Sequence, residues 1–232
     1  MEENERFIRL LSGYIMEILD YNLDTHKHVL ASWAASSAAS QAGFRFKAKY
    51  GLQLLLLAKS GKKIKHKDLI QYIKEIKTFK EQQDFNDWHS QTIDMMRSGG
   101  RDFNKILEGI NKTKKEKLAI EDYSYGIAAK LLNVYLKVFF LGDFESKEFA
   151  SFIHPPIDRL LLEELLKKES KYFKFDCEPF EHTSTTDSGK IPKWTQINEE
   201  EYKEIIKFIR EFIHKNNLKG LWRIEYAWRG HQ

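Results

Sequence analysis

Lys130, Asn133 and Lys137 are the only strongly polar side chains between Gly126 and Gly142. Their offsets of three, four and seven residues place all three on one face of a helix. The other faces (Ile127, Leu131, Leu132, Val134, Leu136, Val138, Phe139 and Phe140) are apolar, so this helix is expected to be buried except along one narrow stripe. Downstream, Pro155-Pro156 opens a second helix with Asp158 in its first turn. An amine on a buried helix beside a carboxylate at a helix N-terminus is suited to nucleophilic chemistry. A lysine is a poor nucleophile at its ordinary pKa of about 10.4, and burial or a second cation such as Lys137 lowers that value. The helix dipole keeps the carboxylate ionised. Two plainer readings stand beside this one. Lysines snorkel to water from any core helix, and an aspartate in a first turn stabilises the helix it opens.

Helices must position these groups. Apolar residues recur at helical spacing over Phe7–Tyr21, His26–Ala42, Lys47–Ala58, Lys67–Lys80 and Phe85–Met96. Ser98-Gly99-Gly100 is expected to break the last of these before a shorter helix at Phe103–Ile110. A further amphipathic helix spans Asn198–His214, capped by Asn198 with acids in its first turn. Between them, Ser170–Ile197 reads as a long irregular loop, and an aromatic segment, LWRIEYAWRG, closes the sequence. Asn-Gly hairpins and alternating β-branched runs are lacking. The expected class is all-α.

Composition sets the outer bounds. The 232 residues fit one large domain or two small ones sharing a core, and 42% hydrophobic content with 13% aromatics is ample for a globular fold. One cysteine, Cys177, excludes an internal disulfide framework and any Cys-rich metal site, and points to a reducing, cytosolic setting. No basic, then apolar, leader is visible at the N-terminus, and no uncharged apolar run reaches the roughly 18–20 residues of a membrane span. His26 and His28 do not share a helix face and have no third ligand in view, so no metal is expected. No cofactor motif is present. The net charge of +4 is unevenly spread: eleven Lys/Arg face three Asp/Glu between Arg45 and Glu81. Lys62, Lys63, Lys65 and Lys67 crowd one segment of that stretch, as a phosphate-contacting loop or an ordinary solvated one.

The sequence Tyr125-Gly126-Ile127-Ala128-Ala129-Lys130 resembles the hairpin of the helix-hairpin-helix DNA glycosylases, where a glycine turn leads into a helix with an early nucleophilic lysine. Pro155-Pro156-Ile157-Asp158 is similar to the motif that opens their next helix. The gap of 28 residues from Lys130 to Asp158 is nearer that of the archaeal 8-oxoguanine glycosylases than that of short-linker members. Trp33-Ala34-Ala35-Ser36, Ala128–Lys137, His154–Leu162 and Leu221–Trp228 together look like segments of a bacterial group with an 8-oxoguanine glycosylase (OGG-like) fold.

The resemblance implies one helical domain over 1–232, with lobes near 1–110 and 111–232 around a cleft. It implies a DNA partner and base excision, with Lys130 attacking the sugar C1′ of an extruded nucleotide and Asp158 stabilising the positive charge that develops. A Schiff base would then permit strand cleavage. Gly126 and Ala128 would approach the DNA backbone, as would Lys137. Ala128 replaces the second glycine of the family turn, and Val134 stands where relatives place a side chain against the base. Trp33, Trp222, Tyr226 and Trp228 are the candidates to stack on the base or to fill the core. His154 is a pocket residue or a helix cap. Oxidised-base repair and removal of modified phage bases are both compatible with these residues. So is a non-catalytic DNA-binding protein on the same scaffold, or a helical protein-interaction module.

Overall fold

The computed structural model describes residues 23–40, 66–110, 124–144, 146–166, 169–170, 173–174 and 194–227. The helices expected over 7–21 and 47–58 lie outside these, as do Lys62, Lys63, Lys65 and Trp228. Six α-helices are described: α1 (Leu23–Ser40), α2 (His66–Lys74), α3 (Gln82–Ile110), α4 (Tyr125–Phe139), α5 (Arg159–Leu166) and α6 (Glu199–Lys215). Short 3₁₀ turns follow α2 and α4 and precede the Pro-Pro pair, and another forms Leu221–Ala227. The described part is mostly helical. Its one departure is a two-residue antiparallel ladder, β1 (Glu169–Ser170) with β2 (Phe173–Lys174). No described helix is long and apolar enough to cross a membrane.

The hub is α4. Twelve of its residues are buried, as a helix apolar on most sides requires. Ser124 caps it, the hydroxyl accepting from the Ile127 N–H at 3.2 Å. Helix α1 packs along α4. The small residues Ala31 and Ala35, both fully buried, let the two backbones approach, and the Tyr135 hydroxyl meets His28 Nδ1 at 2.8 Å across the interface. Helices α3 and α6 cover other sides of α4. Helix α6 is held at its start by a reciprocal capping box: Asn198 Oδ1 accepts from the Glu201 N–H, and Glu201 Oε2 accepts from the Asn198 N–H, each at 2.9 Å.

Two sequence expectations are corrected. Helix α3 runs unbroken through Ser98-Gly99-Gly100. Glycine inside a helix costs only about 1 kcal/mol relative to alanine, and the apolar period Ile93, Met96, Phe103, Ile106, Leu107, Ile110 continues across it. The stripe on α4 does not face water either: Lys130 and Asn133 are buried and Lys137 is half-buried.

Candidate functional site

Asp158 stands just outside α5, as its N-cap, rather than in its first turn. The Pro155-Pro156 pair disfavours helical backbone in the residues before each proline, so the chain runs non-helical from Ile153 to Asp158 before turning. One carboxylate oxygen, Oδ1, accepts from the Leu161 N–H at 3.0 Å. The other, Oδ2, lies 3.6 Å from Lys130 Nζ, the separation of an ion pair. The two side chains are 7% and 18% exposed, so the pair is largely withdrawn from water. Burial pulls the Lys130 pKa below its ordinary value, against the opposing pull of Asp158. The structure thus brings together the two residues that the sequence singled out.

Sequence reasoning missed a third member. The Trp194 ring lies over Lys130, its centroid 4.2 Å from Nζ. The segment that carries Trp194 crosses the start of α4 at Gly126. The Gly126 N–H donates to Ile197 O at 3.0 Å, and a Cβ at Gly126 would fall 2.1 Å from the Trp194 carbonyl oxygen. Glycine is required there for close approach. The signal was present in the sequence as a tryptophan at the end of the irregular stretch, but nothing in its spacing ties it to α4.

Lys137, two turns beyond Lys130, is bonded to Glu225 of the C-terminal 3₁₀ turn. Burial raises the Glu225 pKa, Lys137 opposes this, and the negative charge of Asp158 adds to the rise. The other carboxylate oxygen, Glu225 Oε1, is buried with no hydrogen-bond partner. One edge of α4 therefore carries two amines, each facing a carboxylate delivered from a later segment. Lys137 is engaged by Glu225, so the lowered pKa of Lys130 rests on burial and not on a neighbouring cation.

The other sequence candidates are distributed as follows. Gly126 and Ala128 are buried, and their N–H groups are engaged, by Ile197 O at 3.0 Å and Ser124 O at 3.2 Å, so neither amide is free for a phosphate. Val134 is half-buried against the core one turn after Lys130. Trp222 packs edge-on against Phe144 with Arg223 over its face, while Trp33 is 71% exposed on α1. Neither has a described contact with Lys130. Lys67 and Tyr226 belong to α2 and to the last 3₁₀ turn, and their side chains lie outside the description.

His154 does not cap a helix; it belongs to a buried polar network and lines a cavity between α3 and α6. Asn133, fully buried, donates through Nδ2 to Pro155 O and to the Tyr202 hydroxyl, each at 2.9 Å, and its Oδ1 meets His89 Nε2 at 2.8 Å. His154 contacts the Tyr202 hydroxyl through Nδ1 and Asn86 Oδ1 through Nε2, both at 3.1 Å. This network locks the Pro-Pro segment, and with it Asp158, against α3, α4 and α6.

Comparison of the chain with family models, with curated proteins and with solved structures gives no match.

Proposed function

We propose that this protein is a DNA glycosylase with lyase activity that excises oxidised or otherwise modified bases through Lys130. The observation that carries the proposal is the buried Lys130–Asp158 pair, 3.6 Å apart beneath the Trp194 ring. Lys130 in its neutral form attacks C1′ of an extruded nucleotide. A C1′–N bond forms, the glycosidic bond breaks, and the base leaves with that electron pair. Asp158 stabilises the positive charge at the sugar while it develops. The attached nitrogen loses a proton, and the C1′–O4′ bond opens with O4′ taking up a proton, which gives the protonated imine. Loss of the C2′ proton then forms the C2′–C3′ double bond and expels the 3′ phosphate with the C3′–O electron pair. Trp194 offers an aromatic face next to the reacting amine, a surface on which a base can stack. The proposal includes the helix-hairpin-helix glycosylase fold, with lobes near 1–110 and 111–232, and a cytoplasmic enzyme acting at the nucleoid in repair or against modified phage DNA.

A second reading is a DNA-binding protein on the same scaffold in which the pair is structural. The engaged Gly126 and Ala128 amides and the depth of Lys130 favour it. Borohydride reduction during incubation with duplexes carrying a panel of modified bases separates the two. The glycosylase traps a covalent adduct that is absent in Lys130→Ala. DNA retardation with neither adduct nor base release across the panel overturns the enzyme.

A further inference from the structure

A cavity of about 330 Å³ opens between α3 and α6, at the small end of ligand-sized pockets, and Lys130 and Asp158 do not line it. Its floor is His154 and Tyr202, already bonded to each other and to Asn86. These groups give the floor shape and polarity but leave it little capacity to bind charge. Charge comes from α6, where Lys203, Lys207 and Arg210 follow at offsets of four and three and so line one helix face.

The three cations are not equivalent. Lys203 is paired with Glu199 at 2.7 Å. Lys207 and Arg210 have no ion-pair partner among the described residues. Asp87, the acid on the opposite wall, is held by Gln83 Nε2 at 2.7 Å. Arg210 is close enough to the floor for its charge to disfavour protonation of His154. Two cations without an ion-pair partner among the described residues, one of them a planar guanidinium fork, thus border a polar recess whose opposite wall carries the single carboxylate of Asp87.

We propose that this cavity is a binding site for a phosphate monoester, with Lys207 and Arg210 as its anchors. A monoester carries about −1.5 to −2 charge at neutral pH, so it draws on both Lys207 and Arg210, whose two positive charges exceed the one negative charge of Asp87 across the cavity. The guanidinium matches two phosphate oxygens at once. The monoester can be that of a free nucleotide or the terminal phosphate of a DNA strand, and the volume admits either. The site does not depend on catalysis by Lys130.

Calorimetric titration of the full chain tests the assignment. Deoxyadenosine monophosphate is expected to bind saturably, more weakly as salt rises, and deoxyadenosine at least about tenfold less tightly. Lys207→Gln with Arg210→Gln should weaken the nucleotide by a similar factor. Both side chains are exposed, so an unchanged melting temperature will show the fold retained. Lys130→Ala should bind the nucleotide like the parent, which separates this site from the proposed reaction. Competition by a 5′-phosphorylated oligonucleotide, but not by its unphosphorylated form, assigns the site to strand ends, and its absence assigns it to free nucleotides. Equal affinity for nucleotide and nucleoside, or for parent and double variant, overturns the proposal.

Discussion

Asp158 divides its two oxygens between structure and chemistry: one holds the first turn of α5, the other faces the Lys130 amine. Asparagine can keep the capping oxygen and remove the charge, whereas alanine removes both. Asp158→Ala is therefore expected to be less stable than Asp158→Asn by about 1 kcal/mol, the usual worth of an N-cap, in urea denaturation. The chemistry should respond differently. The Asp158 charge raises the Lys130 pKa against the lowering effect of burial, so neutralising it drops that pKa further. In Asp158→Asn the acid limb of the trapping rate should move to lower pH, while the maximal rate falls by about 10²–10³-fold as charge stabilisation is lost. An unmoved acid limb would show that the carboxylate does not act on the amine.

At the level of elements, α4 is built around one crossing. The 194–197 segment passes so near Gly126 that a Cβ would sit 2.1 Å from Trp194 O and 3.0 Å from Ile197 Cβ. Gly126→Ala should force this segment away, costing about 1–3 kcal/mol and withdrawing the indole from Lys130. Tryptophan fluorescence should change in Gly126→Ala and show no such change when Trp194→Phe is already present. Parent-like stability in Gly126→Ala would show that the close approach is not rigid. This crossing also marks how far the sequence was legible. Helix positions and the Asn198 cap follow from local periodicity and capping chemistry, and the amine and carboxylate were readable because each sits at a helix landmark. The continuity of α3 was not readable, because two glycines look like a break although each costs only about 1 kcal/mol within a helix whose apolar period continues past them. Nor were the partners of Lys130 and Lys137 readable. Trp194 and Glu225 lie 64 and 88 residues beyond them, and only tertiary packing brings them back.

Across the whole molecule, the buried network joining α3, α4 and α6 has one consistent set of proton positions. Pro155 O can only accept, so Asn133 Nδ2 must point to it and Asn133 Oδ1 to His89, which donates through Nε2. Asn133 Nδ2 also donates to the Tyr202 hydroxyl, leaving that hydroxyl to donate to His154 Nδ1. His154 then donates through Nε2 to Asn86 Oδ1, which also accepts from Gln82 at 3.1 Å. The network keeps His154 neutral: a second proton on it would meet the Tyr202 hydroxyl hydrogen head-on. Burial agrees, lowering the His89 pKa to about 4 and that of His154 well below its ordinary value. The unfolded chain takes up these protons near pH 6.5 while the folded one does not, so folding stability must fall as pH drops. The contribution of the two histidines should be level above pH 7, and about 3 kcal/mol of it should be lost between pH 6.5 and 4 from His89 alone, with His154 adding to the loss. Urea denaturation across that range measures it. Replacing His89 by glutamine removes one titrating group and can retain a donor to Asn133. It should flatten the acid slope even if it lowers stability at pH 7.5, and a slope equal to the parent's would place the acid sensitivity elsewhere. Because the network locks the Pro-Pro segment, its protonation should also loosen Asp158 from Lys130, so trapping of DNA should fail in acid before the helices melt.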